Sequence, residues 1–530
     1  MNDTKAGFLF KNLQEFRNLD KLEVNLSQNK INEQGANMIG SFLQKCQNIS
    51  TLNIILERCY MDYKSITKLN EYFGELNKIQ HLQLRFGNNQ LGEKGAKALG
   101  TGLSQFQSVT RLSISLEENN IRDNGASEFF QGLSNCLNLK FLEIGCYHNY
   151  IGDYGVSTVN QLLRRCTLIE ELVLVLSANQ IGDLGAVAIG EGLKSCQNLK
   201  ILKLYLYQNK IQDEGSKAIG AGLSNLQNLT YLLLFLNQNK IGDSGAVGIG
   251  EGLKYCINLL DLQLELLSNY IKNDGASGIG EGLSYCCQLQ NLTLVLGENR
   301  ISQPGVVAIG QGLKQCQNLE KLNFSIYYQH SDQGISNIGT GFSNCTKLKD
   351  ISFNFSGNKF RKEGLVEINN WLINCQNLTN LNFLQYQNNL ADEGATLVAI
   401  GLSQCTQITN LCLYLWGNSI GDEGANALSE GLSKCINLQD LKFNLIQNCI
   451  SHQEHLRMGS TLGQLPKLAT LKCVLFEDEQ YLKSKELLNS NSIRNFELNV
   501  RLCYSYRNQL FHYRQALKIK KLVNLDTIFE

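Results

Sequence analysis

The residues of this 530-residue chain that could do chemistry are eighteen cysteines, a His-x-x-His pair, a recurring aspartate and scattered polar side chains that would have to meet in space. Thiols two residues apart would hold zinc or cycle as a disulfide, but no C-x-x-C pair occurs. Instead eleven cysteines, Cys46, Cys136, Cys166, Cys196, Cys256, Cys286, Cys316, Cys345, Cys375, Cys405 and Cys435, recur at the sixteenth place of a 30-residue period. A cysteine thiol is a small, easily buried hydrophobe, so this column reads as reduced core packing. Cys286 and Cys287 are too close for an ordinary bridge, and Cys287 is read as exposed. His452-Gln-Glu-His455 fits neither H-E-x-x-H nor H-x-x-E-H, the spacings that put two imidazoles on one zinc ion. No Ser/His/Asp or Cys/His set is identifiable. Asp123, Asp153, Asp183, Asp213, Asp243, Asp392 and Asp422 share one place in the period, where carboxylates serve as helix caps rather than as acid–base pairs. The expectation is no catalytic residue, no metal site and no cofactor, hence no enzyme.

The elements that hold these residues follow from the period. Rows of 30 align almost without gaps: IGDLGAVAIGEGLKSCQNLKILKLYLYQNK starts at Ile181, IQDEGSKAIGAGLSNLQNLTYLLLFLNQNK at Ile211 and IGDSGAVGIGEGLKYCINLLDLQLELLSNY at Ile241. About sixteen such rows run from residue 1 to about 479, with one residue missing near Ser331. Leu199, Leu202, Leu204 and Leu206 trace L-x-x-L-x-L-x-L, whose last three leucines have the two-residue period of a strand with one buried face. An asparagine follows at the twenty-ninth place: Asn29, Asn89, Asn119, Asn149, Asn179, Asn209, Asn239, Asn269, Asn299, Asn358, Asn388, Asn418 and Asn448. Stacked rows would make these a ladder that satisfies backbone groups of the turning chain. The aspartates then open a helix, and Pro304 falls one residue later, in the first turn where proline costs least. Ala186, Ile189, Leu193 and Cys196 form one apolar stripe along that helix. One row cannot cover its own apolar face, so rows must stack, with strands on one wall and helices on the other. Helices are wider than strands, so the stack curves. The predicted fold is an α/β right-handed solenoid, a horseshoe with a parallel β-sheet on its concave face and helices on its convex face.

Bulk properties narrow the setting. The chain carries 48 basic and 48 acidic residues and 43% hydrophobic residues, so its charge balance does not favour nucleic acid. Only Pro304 and Pro466 interrupt it, and no Ser/Gly-rich or charged linker appears, which points to one continuous body. The stretch MNDTKAGFLF lacks the basic-then-apolar pattern of a secretory signal, Asn2 stands where myristoylation needs glycine, and there is no CaaX box. No stretch reaches the ~18 apolar residues of a membrane span. The reading is a soluble, cytoplasmic protein in a reducing compartment. On that reading Asn228-Leu-Thr and Asn291-Leu-Thr reflect the repeat's own phrase rather than glycosylation.

The phrase L-x-x-L-x-L followed by N-x-I-G-D-E-G-A-x-x-I/L-x-x-G-L resembles the leucine-rich repeats of the ribonuclease-inhibitor-like class, as in ribonuclease inhibitor, Ran GTPase-activating protein and NOD-like receptors. The likeness covers about nine-tenths of the chain. The rows are longer than the usual unit by about two residues through the extended strand phrase, and they look most like an expanded set of repeat proteins in ciliated protists. Some members of that set are labelled kinase-domain proteins. Here V-A-I-K, H-R-D-L-x-x-x-N and D-F-G are absent, while Gly248, Gly250, Gly252, Gly278, Gly280 and Gly282 lie inside the repeat helix, where they suit close approach of neighbouring helices. The resemblance implies protein recognition on the concave face or its rims and leaves the partner unnamed. It also implies two alternatives. One is a GTPase regulator resembling Ran GTPase-activating protein, although that family's acidic tail is missing and no residue here matches its active rim. The other is a structural component of a cytoskeletal or axonemal assembly, although no long coiled-coil extension is present.

On a curved parallel sheet the residues between the strand leucines point into the hollow. There stand Val173 and Val175, Tyr205 and Tyr207, Leu233 and Phe235, then Val295, and farther on Leu384, Tyr386, Tyr414 and Trp416. They are the candidate protein-binding residues, because contiguous exposed aromatics bury large areas at low entropic cost. The same residue types also suit a long strand through β-propensity alone. Between the two groups Gln263, Glu265, Asn323, Ser325, Ser352 and Asn354 are polar or acidic, so an elongated partner with a polar middle would match. In residues 480–530 the period is lost, with nine basic against four acidic residues and Tyr504, Tyr506, Phe511 and Tyr513. Leu510 to Val523 reads as a basic amphipathic helix, either a cap over the last coil or a docking tail for a membrane surface or partner. At the other end Phe8, Phe10 and Phe16 stand in for a cap. The expected role is a non-catalytic protein–protein interaction scaffold or ligand-binding repeat protein.

Overall fold

A parallel ladder between successive rows needs every strand to end in the same turn and every return limb to bring the chain back by the same distance. The computed structural model describes residues 19–329, 339–342, 344–359, 362–372, 375, 377–475 and 484–500, which fall in two compact units, 1–286 and 287–530. In the first unit the strands β1 (Lys21–Asn25), β2 (Thr51–Ile55), β3 (His81–Arg85), β4 (Arg111–Ser115), β5 (Phe141–Gly145), β6 (Glu171–Val175), β7 (Ile201–Tyr205), β8 (Tyr231–Phe235) and β9 (Asp261–Glu265) form a parallel sheet in chain order. Residues at the same place in successive rows lie side by side, as Val175, Tyr205, Phe235 and Glu265 do.

The second unit repeats the plan with β10 (Asn291–Val295), β11 (Lys321–Ser325), β12 (Asp350–Asn354), β13 (Asn380–Leu384), β14 (Asn410–Tyr414), β15 (Asp440–Asn444), β16 (Thr470–Leu475) and β17 (Asn495–Val500). Two of its steps are short. Lys321 pairs with Asp350, which places the deletion expected near Ser331. Thr470 pairs with Asn495, so the stretch after residue 479 contributes a short helix, Lys485–Leu488, and one more parallel strand. The amphipathic stretch Leu510 to Val523 and the phenylalanines Phe8, Phe10 and Phe16 lie outside the described residues. With a helix on the return limb of most coils, each unit is an α/β leucine-rich solenoid.

The coil of β7 shows how the core is built. Leu202, Leu204 and Leu206 from the strand side and Ala186, Ile189 and Leu193 from the helix Asp183–Leu193 are all fully buried, together with Cys196. Each buried leucine contributes about 1.5–3 kcal/mol. The eleven recurrent cysteines are buried thiols. Burial pushes Cys136, Cys196, Cys256 and Cys405 up to about 12, so they remain neutral packing groups.

The turn after each strand is closed by the asparagine. Asn179 donates through Nδ2 to the carbonyls of Cys146 (2.9 Å), Leu176 (3.0 Å) and Ser177 (3.2 Å). Its Oδ1 accepts from the backbone N–H of Asn149 (3.0 Å) and Ile151 (2.9 Å). One side chain therefore satisfies the turn of its own coil and that of the coil before it. The column lacks asparagine at two described places: Cys59 stands there in the first unit, its thiol donating to the Leu26 carbonyl (3.1 Å), and in the second Gln329 takes over, Nε2 donating to the Leu296 carbonyl (2.8 Å) and Oε1 accepting from the Ile301 N–H (2.9 Å).

The aspartates do cap helices, but not the ones they begin. Asp153 Oδ1 accepts from Gly182 N–H (2.7 Å) and Gly185 N–H (2.8 Å), and Asp183 Oδ1 from Gln212 N–H and Gly215 N–H (2.8 Å each). Asp183 occupies the first helical position behind an extended Gly182. From there its carboxylate reaches the next coil's helix start and meets the partial positive charge there. The expectation of a cap within one row is thus corrected to a cap between rows.

On the helix side the coils approach to backbone contact. A Cβ added to Gly220 would run into the Gly248 carbonyl, and one added to Gly250 into the Gly278 carbonyl. Gly250→Ala should therefore lower stability by about 1–2 kcal/mol in urea denaturation, although alanine alone would gain ~1 kcal/mol in helix propensity. A stabilised variant would show that the helices can part. Asn179→Ala leaves two buried N–H groups and their carbonyl neighbours without this partner, and at ~1–3 kcal/mol for each orphaned group it should cost at least about 2 kcal/mol. A loss below ~0.5 kcal/mol, the scale of an ordinary surface change, would remove the ladder from the stability argument.

Candidate functional site

Alternation along the strands divides each sheet into a face that packs on the helices and an open face. The open face of β5 to β9 holds Val173, Val175, Tyr205, Tyr207, Leu233 and Phe235. Tyr205, Tyr207, Phe235 and Val175 are half-buried, whereas Val173 is 7% exposed and Leu233 only 4%. Buried to this degree, these two serve as floor rather than contact surface. In register order Val175, Tyr205, Phe235 and Glu265 stand in one line, and Tyr205 meets Phe235 edge-to-face with ring centroids 5.2 Å apart. Such a pair is worth about 0.5–1.5 kcal/mol beyond its buried area and holds both rings in place. Beside it, Tyr231 lies under the Lys203 ammonium at 5.3 Å and accepts from Gln263 Nε2 at 2.8 Å.

Reasoning from the sequence missed the continuation of this group. Tyr147 and Tyr207 belong to coils that are not adjacent, yet their rings lie 6.3 Å apart, because the coil between them carries the small, buried Ser177 at the same place. From Tyr147 the contact passes to His148 (6.0 Å) and on to Tyr150 (5.4 Å) in the turn. His148 and Tyr150 both have positive φ, 53° and 58°, which turns these bulky side chains outward at some strain. The available signal was the spacing of Tyr147 and Tyr207 around a serine. Burial raises the phenol pKa of Tyr205, and Glu143 and Glu265 add to the rise; burial also raises those of Tyr207 and Tyr231. At the edge of the group, Glu117 accepts from Ser115 and occupies space left by Gly87 and Gly145; burial pushes its carboxyl above the ordinary range.

The second unit carries its own group. Tyr386 meets Tyr414 at 6.0 Å and Trp416 at 6.1 Å, with Leu384 beside Tyr414 in register. Burial pushes the Tyr414 phenol up to about 12. Val295 stands apart from this group, because Ser325 and Asn354 come between it and Leu384 in the ladder. Tyr327, another residue the sequence reading missed, lies over Gly297 and contacts Tyr328.

His455 is 6% exposed, and its Nδ1 lies 3.0 Å from the Ser451 carbonyl. Among the described residues no cluster of three or more His, Cys, Asp or Glu side chains is placed to hold a metal ion, and no helix is long and apolar enough to cross a membrane. Burial holds His455 down to about 4 from an ordinary 6.5. The unfolded chain therefore binds this proton first as pH falls, so the stability contributed by neutral His455 is complete above pH 6.5 and is lost between 6.5 and about 4. His455→Leu should remove roughly 3 kcal/mol of acid sensitivity in that window, followed by denaturation at stepped pH. An unchanged pH profile would show that His455 does not titrate this way.

The sequence of residues 172–190 matches the leucine-rich repeat family model, from the first buried leucine of β6 through Asn179 and Asp183 to Gly190. Among solved structures the chain is similar to the leucine-rich-repeat ectodomain of the Arabidopsis receptor kinase HAESA, crystallised in complex with an N-terminal extended IDA peptide hormone ligand. That likeness has 14% identity over 97% of this chain and 74% of the other, with a TM-score of 0.43. The chain is also similar to TLR13, solved in complex with ssRNA13, with 15% identity over 93% of this chain and a TM-score of 0.43; it spans 63% of that chain's length. No curated protein matches the sequence.

Proposed function

We propose that this leucine-rich-repeat protein is a non-catalytic, protein-binding scaffold of the ribonuclease-inhibitor-like class, and that it binds through the open sheet face around Tyr205 and Phe235. The observation that carries the reading is the pair of aromatic groups on one face, Tyr205 with Phe235 and Tyr207 with Tyr147, His148 and Tyr150. The core makes little use of it, since the adjoining leucines already fill the interior. Half-buried rings held by one another lose little entropy on binding and still offer large apolar area, the combination that dominates interface energetics. Helices of eleven residues, such as Asp213–Leu223 and Asp243–Leu253, on the return limbs support the class. The column of buried thiols supports a reducing, cytoplasmic setting. Tyr386, Tyr414 and Trp416 are a second contact point on the same reading.

Capture of partners from the source cell by the intact chain and by a folded Tyr205→Ser/Phe235→Ser variant tests this. The variant should retain its partner at least about thirtyfold less tightly, the equivalent of ~2 kcal/mol. Equal capture by both would remove this face from the binding surface.

A further inference from the structure

The docking face proposed above also carries a charge pattern, and the inference here rests on that reading. Glu143 on β5 accepts from Ser113 Oγ at 2.7 Å, and Glu265 on β9 accepts from Asn237 Nδ2 at 2.6 Å. Neither carboxylate forms an ion pair among the described residues. The basic side chain that the open face of β5 to β9 does carry, Lys203, is already engaged, with Glu171 at 3.9 Å and the Tyr231 ring at 5.3 Å. On the neighbouring strand Arg111 is held over the Phe141 ring at 4.0 Å. Glu265 ends the register line of Tyr205 and Phe235, and Glu143 stands two strands to the other side of Tyr205 in the adjoining line of Val173 and Lys203, so the rings are flanked by two carboxylates whose own contacts leave their negative charge uncompensated.

We infer that the occupant of this face is a basic polypeptide segment, with an apolar or aromatic anchor seated on Tyr205 and Phe235 and a lysine or arginine on either side reaching Glu143 and Glu265. The geometry sets the scale. Four strand spacings separate β5 from β9, so the carboxylates lie about 20 Å apart, and an extended chain rising ~3.3 Å per residue covers that distance in about six residues. Uncompensated carboxylates attract such a segment during encounter and form charge-assisted hydrogen bonds with it once it is seated. A phosphate backbone would meet like charge at both ends.

Selection of a random twelve-residue phage-displayed peptide library on the intact protein tests this. Recovered sequences should place lysines or arginines about six residues apart around Trp, Phe or Leu. Their binding should fall at least tenfold on Glu143→Gln/Glu265→Gln, whose amides keep the size of the side chains. Recovery of acidic or uncharged sequences, undiminished binding to the amide variant, or no enrichment at all would overturn the charge assignment. So would tight binding of single-stranded poly(U) that is lost in Tyr205→Ser/Phe235→Ser. The two readings separate cleanly: peptides lacking basic residues that still discriminate against Tyr205→Ser/Phe235→Ser leave the docking face standing and remove its basic partner, whereas peptides that bind this variant as well as the intact chain remove the face itself.

Discussion

In most coils a single buried asparagine amide must satisfy two turns at once. The turn after a β-strand leaves carbonyl and N–H groups facing a leucine core, where an unpaired group costs more than a packing contact returns. Asn179 answers for its own turn and for that of the preceding coil, and Asn209 does the same for Leu206 and for Ile181. Because each amide spans two coils, a row that gained or lost a residue between strand and turn would leave both unsatisfied. The aspartates impose the same discipline on the helix side, since Asp153 and Asp213 cap the helix starts of the following coils. The glycines then let the helices close to backbone contact. Amide, carboxylate and glycine are three separate devices that hold successive coils against one another.

The consequence for function is positional. With the register fixed, residues at one place in successive rows become lateral neighbours whatever their type, so the open face is a grid whose entries vary while its spacing does not. Tyr205 beside Phe235 is a nearest-neighbour entry, and Tyr147 above Ser177 beside Tyr207 is a next-nearest one made possible by a small residue between. Rings arranged in this way are immobilised by one another rather than by a ligand, so the entropic cost of ordering them is met during folding.

Much of this was legible in the sequence, for identifiable reasons. Alternating leucines, the asparagine at the twenty-ninth place and the stripe Ala186, Ile189, Leu193 and Cys196 are one-row signals, and a row can be read without its neighbours. What escaped is what depends on two rows together. The target of each aspartate lies one coil away; Gln329 replaces asparagine because its longer amide still reaches Leu296 and Ile301. Val173 and Leu233 look exposed by alternation and are buried. Tyr147, His148 and Tyr150 join the aromatic group only through contacts between rows and a positive-φ turn. β17 follows a shortened return limb, a spacing the 30-residue rule does not contain.

On the proposed reading the open sheet face, and not the helix side, meets the partner. Site-specific photo-crosslinking reads this directly, with Tyr207→p-benzoylphenylalanine on the open face compared with Tyr255→p-benzoylphenylalanine, a position 53% exposed just past the helix Asp243–Leu253. Irradiation in the source cell should yield a discrete protein adduct from position 207 and none from 255. An adduct formed from 255 while 207 stays silent would place recognition on the helices instead.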